Sequence, residues 1–540
     1  MESLPSEVTD ISLDKLPTSN TKTANNAAGV AILKPEYILS SAELRTVKLE
    51  DREESNTDEP STKKAKTECT SSGRKRQRGQ NKARGVPWQG DPSASLCLAM
   101  ADVLEDKPWP EQCGRENCKF KHDVAAFLAL KEPDLGPECP LFSAYGHCAW
   151  GACCRFGSTH ITDDGHNKVN RSKFQADRAP TSINMLDRDV QQKLRKFRYD
   201  FSIAESVLAE KRKEKETHAV DEKGVEVSEE KLSIEKEIGP VSDGIKLRSA
   251  EKKTLCGSNP MSMARCAQLV QENCSVDFVD INMGCPIDLV YQQGGGSGLM
   301  RRRPTLELMV RTMSQILEFP LTVKMRTGIS SQKNTAHTLM PSLHEWNVSM
   351  VTLHGRSREQ RYTRTADWNY IDECARLAGP VPLFGNGDIL SFEDYNLRRA
   401  NTSVAGVMIG RGALIKPWIF TEIKEQRHWD ISSQERLDLL RTFVNNGLEH
   451  WGSDTKGVET TRRFLLEWLS FLHRYIPVGL LEHPPQNINE RPPAYKGRDE
   501  LETLMASANC ADWVTISEML LGKVPTGFKF VPKHKANAWQ

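Results

Sequence analysis

From residue 254 onward one texture repeats. Short apolar runs close on glycine- or proline-bearing turns (FVDINMGCP, LTVKMRTG, MVTLHGR, PLFGNGDI, AGVMIGRGAL), and stretches of helical spacing such as TLELMVRTMSQILEF separate them. Alternating β and α segments dictate a parallel sheet closed or covered by helices, because a strand that returns in the same direction needs a crossover. The expected fold class is α/β, a TIM (β/α)8-type barrel over 254–425. Only five convincing strands and a fragment, LCGSNP, occupy that stretch. It spans roughly 170 residues, where a closed eight-strand barrel takes about 200 or more, so the barrel is expected to be truncated at its start, with two open edges. From about residue 430 the strands stop. ERLDLLRTFVNNGLEHW and TRRFLLEWLSFLHRY read as amphipathic helices, giving a helical C-terminal domain over 426–540.

Upstream, three further stretches differ in composition. Residues 1–90 are rich in Ser, Thr, Glu, Asp and Lys and poor in aromatics, so disorder is expected there. That region ends in a basic run, Arg74, Lys75, Arg76, Arg78, Lys82 and Arg84. Such runs are solvated tails, nuclear-targeting signals or nucleic-acid contacts. Residues 91–165 concentrate Cys and His, and 166–253 read as a charged linker with helical pieces. QQKLRKFRYDF within it is either a solvated face or a short basic helix touching RNA. Whole-chain charge names no partner, with 73 basic against 72 acidic residues. No segment has the length and apolarity of a membrane span or the shape of a signal peptide, so a soluble chain of the cytoplasm or nucleus is expected, as a monomer.

Seven of the 14 cysteines lie between Cys97 and Cys154. In a reducing compartment that clustering points to metal rather than disulfides. Cys139, Cys148, Cys154 and His160 follow a C-x8-C-x5-C-x5-H spacing, and Cys97, Cys113, Cys118 and His122 form a second set with a longer first gap. Three thiolates and one imidazole make a closed tetrahedral Zn2+ site without an open position, a structural CCCH finger. Cys153 is an alternative to Cys154 as third ligand. Phe120 and Phe156 follow the third cysteines and either stack on bases or plug the small apolar core.

The strand ends carry the chemistry. Asn386, Gly387 and Asp388 close one strand, and Gly410, Arg411 and Gly412 the next. Glycine lets backbone N–H groups approach a phosphate and Arg411 adds charge, the expected phosphate site after a barrel's last strands. Lys324 and His354 end two earlier strands and are candidate cofactor contacts. Cys285, between Gly284 and Pro286 and ahead of a Gly294–Gly296 loop, offers a thiol at the barrel mouth that can give or take a proton. The open alternative for Cys285 is a buried structural cysteine.

GCPIDLV, VKMRTG, LHGRSREQRYT, FGNGDI and IGRGAL together resemble the tRNA-dihydrouridine synthase family, and the paired fingers with TTRRFLLEWLSF resemble its eukaryotic zinc-finger class. The resemblance implies FMN reduced by NADPH, hydride delivery to C6 of an extruded uracil at tRNA position 47 or in mRNA, and protonation of C5 by Cys285. It further implies flavin contacts from Lys324 and His354 and phosphate contacts from Asn386, Gly387, Asp388, Gly410 and Arg411. Arg356, Arg358, Arg361 and Tyr362 are expected either to hold RNA or to lie in a solvated loop. The family's opening strand with its Ala-Pro-type turn, the strand after it and a flavin-binding Gln on the third have no counterpart where SAEKKT runs into LCGSNP. Two rival readings therefore stand beside the leading one: a non-catalytic RNA-binding protein using its fingers and helical domain, and a flavin oxidoreductase with a small-molecule substrate.

Overall fold

The computed structural model describes residues 30–39, 96, 120, 122–174, 184, 186–221 and 252–533. Six parallel strands follow one another in sequence order across a single sheet: β1 (Lys252–Leu255), β2 (Phe278–Met283), β3 (Leu321–Arg326), β4 (Met350–His354), β5 (Leu383–Asn386) and β6 (Gly406–Met408). Five coincide with the apolar runs, whereas β1 is KKTL and shares only Leu255 with the expected fragment LCGSNP. Among the described residues β1 and β6 pair neither with each other nor with a further strand. Both edges are short, four and three residues, and β1 sets Lys252 and Lys253 on its edge. Brief, charged edges resist pairing with another sheet.

The strands alternate more strictly than their apolar look suggests. Val279, Ile281 and Met283 of β2 and Val323 and Met325 of β3 are fully buried on the face that meets the helices. The intervening positions, Asp280 and Asn282, Thr322, Lys324 and Arg326, Thr352 and His354, then Asn386, share the other face. One face thus builds the core and the other gathers polar groups. On the core side, the helix Arg303–Ile316 turns Leu306, Met309, Val310, Met313 and Ile316 inward at helical spacing.

Two expectations about domain boundaries change. Within the stretch read as a linker, the helix Ser202–Asp221 buries Ala204 and Leu208 against the barrel helices, and Ala204 N–H donates to Gln268 Oε1 at 2.9 Å. Its Lys/Glu-rich surface masks an apolar stripe one turn apart. Within the stretch expected to be disordered, residues 30–39 form a strap along the helical domain. Ala31 N–H donates to Arg491 O at 3.0 Å, Lys34 N–H to Leu480 O at 3.0 Å, and Leu33 is buried among Ile476, Leu480 and Leu481. The basic run at 74–84 lies outside the described residues.

The C-terminal domain is a helical hairpin, Ser433–Trp451 and Thr455–Leu472, completed by Glu500–Ala506 and Cys510–Leu521. A reciprocal Ser432/Glu435 capping box starts the first helix and Asp454 caps the second. The second Cys/His module is built onto this domain. Cys139, Leu141, Cys148, Cys154 and Phe156 share one apolar cluster with Leu440, Leu448, Trp513 and Leu521. Arg155 ties the two together, its N–H donating to Ser453 O at 2.8 Å and Nη1 to Thr455 Oγ1 at 2.9 Å. Phe156, 2% exposed, fills this core and does not face a base. Phe120 packs against Leu96, Val124 and Ala152.

Candidate active site

Strand register assembles the site. Asn282, Lys324 and Thr352 form one row across the sheet, and Arg326, His354, Asn386 and Met408 form the next row toward the strand ends. All of these but Thr352, which lies fully buried beneath, floor a cavity of about 420 Å³ at the C-terminal end of the sheet, walled by Cys285, Gly387, Asp388, Gly410, Arg411, Tyr362 and Ile488. That volume lies within the roughly 300–1,000 Å³ of small-molecule sites.

Cations dominate the wall. The Lys324 ammonium has no hydrogen bond or ion pair among the described residues, and the neighbouring Thr352 hydroxyl is buried and also without a partner. Burial, then Arg326 and Lys252, push the Lys324 ammonium down to about 8 against a pull from Asp280. His354 is driven down to about 2 by burial and by Arg326, Lys324, Arg356 and Arg411, so its imidazole is neutral. Arg356 Nη1 lies 3.3 Å from His354 Nε2, which fixes Nε2 as the acceptor and leaves the proton on Nδ1. Arg326 donates to Gly284 O at 2.9 Å and Ser357 O at 3.0 Å, fastening the Cys285 turn to the loop after β4.

Two expected roles are corrected. The Asp388 carboxylate accepts from Arg356 Nη2 with both oxygens at 2.7 Å, from Arg411 Nη2 at 3.1 Å and from Ala366 N–H at 2.7 Å. The carboxylate thus orients the two arginines and does not itself meet an anion, which leaves an expected phosphate contact to the Asp388 backbone. Arg356, fully buried in that network, is not an RNA contact. Around them, Gly387 at φ +150° leaves no room for a side chain, since a Cβ would lie 2.3 Å from Ala366 Cβ. Gly410 faces open space, and Arg411 begins the helix Arg411–Ile415 beside it. Asn386 spends its amide on Met408 O at 2.7 Å.

Cys285 sits where Asn282 Oδ1 accepts the N–H groups of Gly284 and Cys285, each at 3.0 Å. Gly296, at φ +54°, presses against it so closely that a Cβ there would meet Cys285 Cβ at 2.8 Å. The glycine loop therefore braces the half-buried thiol at the cavity wall. Arg358 lies over the Tyr291 ring at 3.9 Å and pairs with Asp288, and Arg361 reaches Asp288 at 3.6 Å. Tyr362 is half exposed on the rim, its ring under Arg411 at 4.6 Å.

The cavity's donor set suits a flavin phosphate and an electron-rich ring edge. Arg411 with the Gly387 and Gly410 turns offers the anion cradle, and Lys324 is a half-buried ammonium facing the cavity without an acceptor.

A family model described as dihydrouridine synthase matches residues 245–466. The chain is 47% identical to the human "tRNA-dihydrouridine(47) synthase [NAD(P)(+)]-like" protein, over 86% of this chain and 85% of that one. It is 44% identical to the Xenopus laevis protein of the same name (92% and 88% covered) and 35% identical to the Candida albicans "tRNA-dihydrouridine(47) synthase [NAD(P)(+)]" (97% of each). The chain belongs to the dihydrouridine synthase family. Family members fold as TIM barrels and are NAD(P)H-dependent oxidoreductases that use FMN. The Xenopus alignment extends over 573 positions against the 540 residues of this chain, so that relative carries segments this chain lacks.

The other polar centre is the Cys/His cluster. The ligand atoms of Cys139, Cys148, Cys154 and His160 all lie within 4.8 Å of one another, and all four residues are buried. Cys139 Sγ and Cys154 Sγ are 3.7 Å apart. Tetrahedral zinc with bonds of about 2.3 Å would set its sulfurs about 3.8 Å apart. His160 Nδ1 is 2.8 Å from Asn167 Oδ1, and its buried Nε2 has no hydrogen-bond partner, leaving that nitrogen to complete the set. Cys153 packs beside Ala152 and stays outside the ligand group. Of the first set, Cys97, Cys113 and Cys118 lie outside the described residues, and His122 is exposed.

Sequence patterns did not single out Arg326 or Ile488. Arg326 was legible, since it stands two residues past Lys324 and so on the same strand face. Ile488 arrives from the helical domain, about a hundred residues from the strand ends, without a local signal.

Proposed function

We propose that the protein reduces a uridine of tRNA to 5,6-dihydrouridine, using FMN and NADPH. The observation that carries this reading is the Cys285 thiol braced at the wall of a cation-rich cavity that also holds the unpartnered Lys324. When bound, FMN reduced by NADPH would supply the hydride that uracil accepts at C6. Cys285 gives its thiol proton to C5 on the other side of the bond, so that one hydride and one proton saturate it, and solvent reprotonates the thiolate. Arg411 and the Gly387 and Gly410 turns would hold the flavin phosphate, and Lys324 would offer its ammonium to the flavin. The substrate base must leave its stack, which costs a few kcal/mol and least in an unpaired loop.

Arg361 and Tyr362 at the rim are suited to RNA phosphate and base. The variable-loop uridine at position 47 is the proposed target, mRNA uridines a second one, and the protein acts as a monomer in the cytoplasm or nucleus. Cys139, Cys148, Cys154 and His160 hold structural Zn2+, and a second zinc is proposed on Cys97, Cys113, Cys118 and His122. No helix among the described residues is long and apolar enough to cross a membrane.

The test is direct. Full chain with zinc, FMN and NADPH is incubated with unmodified tRNA transcript, and dihydrouridine is mapped by mass spectrometry. One modified variable-loop uridine is expected, and Cys285→Ala should lower its formation by about 10²–10⁴-fold while retaining flavin. The open sheet edges favour the second reading, an RNA-binding protein without catalysis. Zinc-loaded, folded protein that binds tRNA but neither flavin nor makes dihydrouridine would establish that reading instead.

A further inference from the structure

Two arginines at the seam between the sheet and the helical domain take no part in the chemistry above. Arg474 follows the helix Thr455–Leu472 and is buried, 9% exposed. Its Nη2 donates to Ile488 O at 2.9 Å, its Nε has no partner, and no carboxylate pairs with it among the described residues. Ile488 lines the cavity, so Arg474 lies just behind the wall. Arg491 is exposed, and its guanidinium makes no hydrogen bond or ion pair among the described residues. Its carbonyl accepts from Ala31 N–H at 3.0 Å, so the N-terminal strap fixes the backbone that carries it.

The other buried arginines of this domain have a carboxylate or several acceptors, although Arg436 Nε, like Arg474 Nε, is left without a partner. Arg436 pairs with Glu502 at 3.3 Å, and Arg462 donates to Ser517 Oγ, Leu521 O and Gly522 O. Arg474 has no such set. Burial, then the charges of Arg411 and Arg491, push it down to about 10. Cations gathered without a counterion are costly unless an anion joins them. The cavity has charge to spare as well, since Lys324, Arg326, Arg356 and Arg411 face only one carboxylate, Asp388. A flavin phosphate brings about −1.5 to −2 at neutral pH, which leaves the wall positive before Arg474 and Arg491 are counted.

We propose that Arg474 and Arg491 form a second anion subsite at the seam behind Ile488, which takes a backbone phosphate of the substrate RNA next to the extruded nucleotide. This rests on the functional reading above. Phosphate on a dinucleotide cofactor has the same chemistry, so the experiment separates the two sources.

Labelled tRNA is titrated with the full flavin-loaded chain across a salt series, for wild type, Arg491→Met, Arg474→Met and Arg474→Lys. Flavin content, NADPH affinity and melting temperature are recorded for each. Each methionine variant should weaken tRNA binding about tenfold at low salt and reduce the log–log salt slope by about one, with flavin content and NADPH affinity unchanged. Arg474→Lys should keep the slope. Arg491 is exposed, so its variant decides the question should Arg474→Met lower the melting temperature. An unmoved slope in Arg491→Met, or a loss that appears in NADPH affinity, would overturn the subsite. Wild-type protein that binds no tRNA would instead reject the functional reading itself.

Discussion

The Cys/His cluster and the cavity at the sheet mouth are both dense in polar groups, yet they are completed differently. In the cluster each ligand is buried, the sulfurs already stand at a metal-bridging distance, and Asn167 orients the one imidazole. Nothing there is open to a second ligand, and the surrounding atoms belong to the core of the helical domain. In the cavity two of the four cations pair with its one carboxylate, the Lys324 ammonium lacks a hydrogen-bond partner, and the Gly410 turn leaves space at the strand end. A closed donor set serves folding, whereas an unbalanced one stores affinity for a ligand.

The largest expected effect comes from breaking the closed centre. Cys148→Ser removes one thiolate from the proposed zinc site, and zinc binding is worth about 10–16 kcal/mol in isolated fingers, so zinc stoichiometry at this cluster should fall to zero. Because the ligands share a core with Trp513 and Leu448, thermal unfolding of the helical domain should shift down with it. Cys285→Ala, at the open centre, should leave the melting temperature in place. A Cys148→Ser protein with an unchanged melt would break the comparison.

Asp388→Asn should come next. Arg356 is fully buried and Asp388 nearly so, and removing one partner of such a pair costs about 3–5 kcal/mol. Added inorganic phosphate should restore more stability to this variant than to wild type, read as melting temperature against phosphate concentration, because it supplies the missing anion. Leu33→Asp should then release the strap at a local cost of about 2–3 kcal/mol. Hydrogen exchange would rise in 480–496 and stay unchanged around the Cys/His cluster.

The smallest effect is a pH dependence. The Lys324 ammonium sits near 8 in the fold against 10.5 for a free lysine, so it is charged and attracts an anion below pH 8 and loses that attraction as pH rises through 8. Flavin affinity should fall above pH 8 by up to about tenfold per unit, and Lys324→Met should flatten the curve. Stability of the unliganded protein moves the other way, rising between pH 8 and 10.5 on account of this residue, because the folded state releases the proton first.

Much of this contrast is legible in the amino-acid sequence. Strand alternation puts Lys324, His354 and Asn386 at the mouth, and Cys-x8-Cys-x5-Cys-x5-His sets out the closed centre. Side-chain partners are harder to read. Asp388 looks like a phosphate contact in NGD, but its role depends on two arginines from other strand ends, 23 and 32 residues away. Arg356 looks like a loop cation and is an interior one. The strap at 30–39 is hidden because its short apolar run sits in a polar stretch and finds its partners more than 400 residues later.

The central claim is that the cavity holds a flavin although, among the described residues, β1 and β6 pair with no further strand. Fluorescence quenching of FMN by the zinc-loaded full chain tests it most directly. Saturable binding at one flavin per chain is predicted, weakened at least tenfold by Arg411→Met. Folded, zinc-loaded protein that leaves FMN fluorescence unquenched at every concentration would contradict it.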